Sequence, residues 1–129
     1  MTENPDAKRY KVLLAEDNLT NQKLFMRLLE KLGCYCMLAE NGAIAVSLHH
    51  QHVFDVILMD IQMPEMSVLE ATRHIREGNI RPDIPIIALT ANAFAEDRAA
   101  ALACGMNDFL SKPLRPDALH GALARYHPQ

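Results

Sequence analysis

Five times along the chain a short apolar run stops at a polar residue, and a segment with apolar residues every three or four positions follows. Lys11 to Ala15 ends at Glu16-Asp17, Cys34 to Leu38 leads into Asn41-Gly42, and Val56 to Met59 ends at Asp60. Ile84 to Leu89 ends at Thr90, and a short run around Asp108 to Leu110 leads to Lys112. Each run has the length and composition of a strand, and Asn41-Gly42 reads as a turn. Between the runs, Leu24, Phe25, Leu28, Leu29 and Leu32 predict a first helix stopped by Gly33. Ala43 to His50 predicts a second, with Ile44, Ala45 and Leu48 inward, and Leu69, Thr72 and Ile75 support a third ending near Gly78. An alanine-rich helix runs from about Phe94 to Cys104 with Gly105 past its end. The last starts near Pro116 with Leu119, Ala122, Leu123 and Tyr126 on one face. Strands separated by helices are parallel neighbours, because a parallel pair needs a crossover. The expected fold class is therefore α/β, a doubly wound five-stranded parallel sheet with helices on both faces. Val56 to Met59, apolar on both faces, is its centre.

Composition narrows what such a sheet can serve. With 129 residues, 50% of them hydrophobic, the chain is long enough to bury a full core and leaves no room for a second domain. We expect a polar leader over residues 1–8 and a folded unit over residues 9–127. Thirteen Lys plus Arg against 16 Asp plus Glu give a net charge of −3, with no long like-charged block. That argues against a direct nucleic-acid partner held by phosphate neutralisation. No apolar run approaches the ~20 residues that span a bilayer, so no membrane contact is expected. The odd cysteine count, without a signal-like N-terminus, points to a reducing cytoplasm. Cys34 and Cys36, two apart in a strand, share a face and read as core packing.

In parallel sheets ligands bind beyond the carboxyl ends of the strands. Glu16, Asp17, Asp60, Thr90 and Lys112 should therefore meet at one mouth. Three carboxylates there repel one another unless a cation compensates. Oxygen ligands suit a hard ion, and Mg²⁺ takes a few carboxylates plus waters and bridges to phosphate oxygens. The chemistry indicated is phosphoryl transfer.

At these residues the sequence resembles the receiver domain of two-component response regulators, over about Lys8 to Tyr126. The resemblance is carried by Leu14-Ala-Glu-Asp-Asn18, Met59-Asp-Ile-Gln-Met-Pro64, Leu89-Thr-Ala91 and Ser111-Lys-Pro113, in that order. Asp17-Asn18-Leu-Thr-Asn21, Asp60-Ile-Gln62 and Leu89-Thr-Ala-Asn-Ala93 look most like receivers of hybrid sensor histidine kinases. The resemblance implies a flavodoxin-like sheet of order 2-1-3-4-5. It implies Asp60 as phosphoacceptor for a phosphohistidine, and Mg²⁺ held by Asp17, Asp60 and the main-chain carbonyl of Gln62, with Glu16 acting mainly through water. Lys112 would pair with Asp60 before transfer and with a phosphoryl oxygen afterwards, and Thr90 would donate to another. Small Ala91 would leave the approach open, and Phe109 would be an aromatic switch working by packing alone. The Lys112-Pro113 bond is expected to be cis. Partners would be a histidine kinase or a histidine phosphotransfer domain, the latter docking near Leu19 unless that residue is core. Such a unit assists its own phosphorylation and hydrolysis without being an enzyme for a diffusible substrate.

One position departs from the family pattern. Met63-Pro-Glu-Met-Ser-Val68 has valine where glycine is usual. A left-handed backbone there would cost roughly 1–3 kcal/mol, or the loop is rebuilt beside Asp60. A phosphorylation-independent interaction module is thus the alternative. An aspartyl-phosphate phosphatase of the haloacid dehalogenase type would need a second Asp where Gln62 stands, and a flavodoxin cofactor phosphate would be repelled by Glu16-Asp17. His49, His50 and His52 invite a metal reading, but a solvated helix end accounts for them without further ligands.

Overall fold

The computed structural model describes residues 10–61, 68–90, 99, 102–112 and 114–126. Five strands, β1 (Lys11–Ala15), β2 (Tyr35–Ala39), β3 (Val56–Asp60), β4 (Ile86–Thr90) and β5 (Asp108–Ser111), form one parallel sheet of order β2-β1-β3-β4-β5. The described helices are α1 (Leu19–Lys31), α2 (Gly42–Gln51), α3 (Val68–Glu77) and α4 (Pro116–Tyr126). Every residue of β3 and β4 is buried, whereas the edge strands β2 and β5 are only partly so. A strand covered on both faces has no use for alternation, which is why these two read as unbroken apolar runs.

Alternate residues along the strands feed two separate cores. Val12, Leu14, Val56, Leu58, Ile87 and Leu89 face α1 and α4, meeting Phe25, Leu29, Leu119, Ala122 and Leu123. Leu13, Ala15, Ile57, Met59, Ile86 and Ala88 face α2 and α3, meeting Ala45, Ala71 and Ile75. Burying each large side chain contributes roughly 1.5–3 kcal/mol, so the paired central strands are the main source of stability.

Local signals set the helix ends. Asn18 caps α1, its Oδ1 accepting from the Asn21 amide at 2.9 Å. Gly33, at φ +82, closes α1 in a Schellman turn, with Gly33 N donating to the Glu30 carbonyl and Cys34 N to the Leu29 carbonyl. Asn41 is the N-cap of α2, accepting from Ile44 N at 2.8 Å, so the expected Asn41-Gly42 turn is a helix start. Ile44 is exposed rather than inward, α2 buries His49 in its place, and Leu24 of the α1 stripe is also exposed. Val68 is the first residue of α3, in right-handed helical backbone, so left-handed strain does not arise at that residue. Residues 62–67, the leader, most of the alanine-rich segment and Pro113, with its expected cis bond, lie outside the described residues.

Cys34 is buried and Cys36 half-buried on the α1 side of the sheet, both as free thiols, in keeping with core packing. No described helix is long and apolar enough to cross a membrane.

Candidate functional site

The sheet ladder runs one residue past the strands that build the mouth. Glu16 N donates to the Ala39 carbonyl at 3.0 Å, Ile61 N to Leu89 at 3.1 Å and Lys112 N to Thr90 at 2.7 Å. Residues that end apolar runs are thereby held in register with the core. Asp60 lies opposite Leu89 and Thr90 opposite Ser111.

Glu16, Asp60 and Thr90 are 0%, 2% and 3% exposed, whereas Asp17 is open to solvent. Lys112 Nζ donates to Asp60 Oδ2 at 2.8 Å and stands 3.2 Å from Glu16 Oε1. The second contact is an ion pair without hydrogen-bond alignment, which leaves Glu16 Oε1 buried and lacking a hydrogen-bond partner. The other oxygen, Oε2, accepts from Asn18 N at 3.1 Å. One carboxylate oxygen from each of Glu16, Asp17 and Asp60 lies within 4.8 Å of the other two.

Electrostatics follow from burial and sign. Burial pushes the Glu16 carboxyl up, and the charge of Asp60 adds to this, while the Asn18 N–H and Lys112 oppose it. Burial works against the Lys112 ammonium, but its hydrogen bond to Asp60 and the charges of Asp60 and Glu16 outweigh that and raise its pKa. Three carboxylates beside one ammonium leave the mouth anionic and rich in oxygen donors, one of them buried with no hydrogen bond. These residues fit a hard divalent cation.

Of the residues singled out in the sequence, Glu16, Asp17, Asp60 and Lys112 come together, with Thr90 at the end of the adjoining strand. Gln62 and Ala91 lie outside the described residues. Phe109 is half-buried, opposite Ala88 in register, and packs on the core beneath α2 and α3. Leu19, 65% exposed at the start of α1, is a surface residue and not core. The histidines form no metal cluster among the described residues, where Glu16, Asp17 and Asp60 are the group found. His49 is not solvated, however: it is buried, with Nε2 2.6 Å from the Ile80 carbonyl.

Two supports were not visible in the sequence reading. Gln22, buried on α1, donates from Nε2 to the Glu16 carbonyl at 2.8 Å. Arg76 donates to the carbonyls of Pro82, Ile84 and Gly105 and to Asn107 Oδ1, tying α3 to the segments that lead into β4 and β5. An Asn before a helical stripe is a capping signal that points to Asn18, but a polar residue inside the stripe, such as Gln22, carries no comparable mark.

Comparison with known proteins agrees with this geometry. Residues 12–124 match the response regulator receiver domain family. Hybrid signal transduction histidine kinase I of Dictyostelium discoideum is 45% identical over 117 residues, covering 85% of this chain but 7% of that protein. The receiver domain of a sensor histidine kinase from Pseudomonas aeruginosa, solved with a magnesium ion coordinated in its active-site cleft, superimposes with a TM-score of 0.86. It is 40% identical and covers 92% of this chain and 97% of that one. A receiver domain from Saccharomyces cerevisiae, co-crystallised with the histidine phosphotransfer protein upstream of it, gives a TM-score of 0.83 at 32% identity, covering 92% and 88%. The chain spans only 7% to 13% of the length of the first curated relatives it matches. With the family match covering most of the chain and the sheet order shared, this chain belongs to the response regulator receiver domains.

Proposed function

We propose that the unit over residues 9–127 is a phosphoacceptor in a phosphorelay, taking a phosphoryl group from a phosphohistidine onto Asp60. The observation that carries this reading is a nearly fully buried Asp60 held at 2.8 Å by Lys112 beside two further carboxylates. An Asp60 carboxylate oxygen forms a bond to phosphorus as the bond from phosphorus to the imidazole nitrogen breaks. The electron pair returns to that nitrogen, which takes up a proton from water, and Asp60 becomes an acyl phosphate. Lys112 holds Asp60 in place before transfer and pairs with a phosphoryl oxygen afterwards, and the Thr90 hydroxyl donates to another.

Asp17, Asp60 and the main-chain carbonyl of Gln62 would hold Mg²⁺, with Glu16 acting through water. When bound, the ion would supply neutralisation of charge developing on the transferring group. The same groups serve hydrolysis of the acyl phosphate, so the unit assists its own phosphorylation and dephosphorylation without acting on a diffusible substrate. Phosphorylation then shifts a population of surface conformations, with Thr90 drawn to the phosphoryl group, Ala91 leaving its approach clear, and Phe109 responding by packing alone.

The partner is a histidine kinase, a histidine phosphotransfer domain, or both. The yeast complex supports this, as does exposed Leu19 at the start of α1 as an apolar footprint. Likeness to hybrid kinases supports a place in the cytoplasm within such a protein.

The test is intact mass after incubation with a small-molecule phosphodonor, with and without Mg²⁺, for the chain and for Asp60→Asn. One phosphoryl adduct that needs both Mg²⁺ and Asp60 is expected. No adduct, even from a histidine-phosphorylated donor, overturns the reading in favour of a phosphorylation-independent interaction module.

A further inference from the structure

Glu16 is fastened by its backbone as well as by its carboxylate. Its N–H donates to Ala39 at 3.0 Å, and its carbonyl accepts from Gln22 Nε2 at 2.8 Å. Gln22 sits one turn into α1, its own N–H donating to the Asn18 carbonyl at 2.9 Å, and its side chain is buried. That amide reaches back six residues from the helix to the end of β1. A long polar side chain gives up solvent and rotamer freedom to be buried, and an apolar residue would serve the packing of α1 equally well.

The hydrogen bond orients the peptide plane between Glu16 and Asp17. That plane sets the direction in which Asp17 leaves the strand, hence where its carboxylate stands relative to Glu16 and Asp60. Outer groups that orient metal ligands contribute strongly to affinity although they never touch the ion.

We propose that Gln22 is a positioning residue for the cation site, acting through the Glu16–Asp17 peptide. The proposal rests on the Mg²⁺ reading above. Gln22→Met preserves side-chain length and removes the donor. Calorimetric titration with Mg²⁺, below the melting transition, should give a dissociation constant about tenfold higher than the parent's. Leu29→Val, seven residues on along the same buried helix face, loosens α1 without touching Glu16 and should leave that constant within about twofold.

Thermal melting in a chelator separates stability from positioning. A lower melting temperature for Gln22→Met with an unchanged Mg²⁺ constant overturns the proposal. An independent measurement uses the unsubstituted chain: the Gln22 side-chain amide resonances should shift on Mg²⁺ titration with the same midpoint as the Asp17 and Asn18 backbone amides. Asp17 and Asn18 shifting while the Gln22 amide stays fixed also overturns it. An unsubstituted chain that binds no Mg²⁺ removes the metal reading itself, and this proposal with it.

Discussion

Replacing Lys112 with Met tests the charge balance on which the mouth depends. Methionine keeps most of the apolar stem and deletes the ammonium. At an effective dielectric constant of about 20, the contact with Asp60 at 2.8 Å corresponds to about 6 kcal/mol of attraction and that with Glu16 at 3.2 Å to about 5. Most of this is offset by the cost of taking three charges out of water. The observable loss is therefore the smaller one found when a buried pair is broken from one side, about 3–5 kcal/mol. The Lys112 side chain is 17% exposed, so water relieves part of the remaining repulsion and the lower figure applies, about 3 kcal/mol. For a domain of 129 residues that lowers the melting temperature by roughly 10 °C. The assay is thermal melting followed by circular dichroism near neutral pH, in chelator and then in Mg²⁺. Mg²⁺ should raise the melting point of Lys112→Met more than that of the parent, since the variant mouth holds no competing cation. A variant that melts within about 2 °C of the parent in chelator would refute the claim that Lys112 offsets the repulsion between Glu16 and Asp60.

Three further outcomes follow from buried groups elsewhere. Burial, helped by the nearby charges of His50, Arg81 and Arg76, lowers the His49 pKa against the opposing bond to Ile80. The unfolded chain then binds a proton that the folded chain resists. The stability present above about pH 6.5 is lost as pH falls toward the folded value. Urea midpoints across this range should fall for the parent and less steeply for His49→Gln; parallel slopes would dismiss His49 as the source. Arg76→Lys cannot reproduce a fork aimed at three carbonyls and Asn107. It should cost about 2–3 kcal/mol by urea denaturation, and a loss below about 0.5 would show that the network contributes little. Burial raises the Cys34 thiol and pushes Cys36 up to about 12. Iodoacetamide near pH 8 should label both at least about tenfold more slowly than in the urea-unfolded chain, and equal rates would contradict their burial.

The parts of the fold legible in the sequence are those fixed by neighbours close in the chain. Gly33 and Asn18 mark the ends of α1 because a left-handed residue and a side-chain acceptor are local requirements. Val56 to Met59 reads as central because burial on both faces removes alternation. The four charged groups of the mouth are legible because each follows an apolar run, and parallel strands bring those ends to one side. What escapes is set by distant partners. The burial of His49 depends on a carbonyl 31 residues away at Ile80, and Arg76 on carbonyls up to 29 residues away. Ile44 and Leu24 fit a helical stripe by spacing, yet each lies at its edge, where rotation by a fraction of a turn decides exposure. At Val68 the sequence leaves open either left-handed strain or a rebuilt backbone, and the choice is settled by the start of α3 at that residue.

The same ladder that makes the mouth legible also explains why its charges can be held so close. Glu16, Ile61 and Lys112 each donate one more strand-like hydrogen bond, to Ala39, Leu89 and Thr90. The repelling groups are therefore fixed by backbone rather than by their own attraction. Three carboxylates against one ammonium leave a local charge of −2, which a single divalent ion would neutralise. On the proposed reading, phosphorylation of Asp60 replaces a carboxylate with a phosphoryl group of about −2 and restores an excess of negative charge even with the ion in place. The relief then has to come from donors at the rim. Lys112 already lies within reach of Asp60, and Thr90 is the hydroxyl at the end of the neighbouring strand. On that reading, a conformational response centred on Thr90 and β5 is the outcome expected when an already anionic site, flanked by strand-like backbone hydrogen bonds, is loaded with further charge.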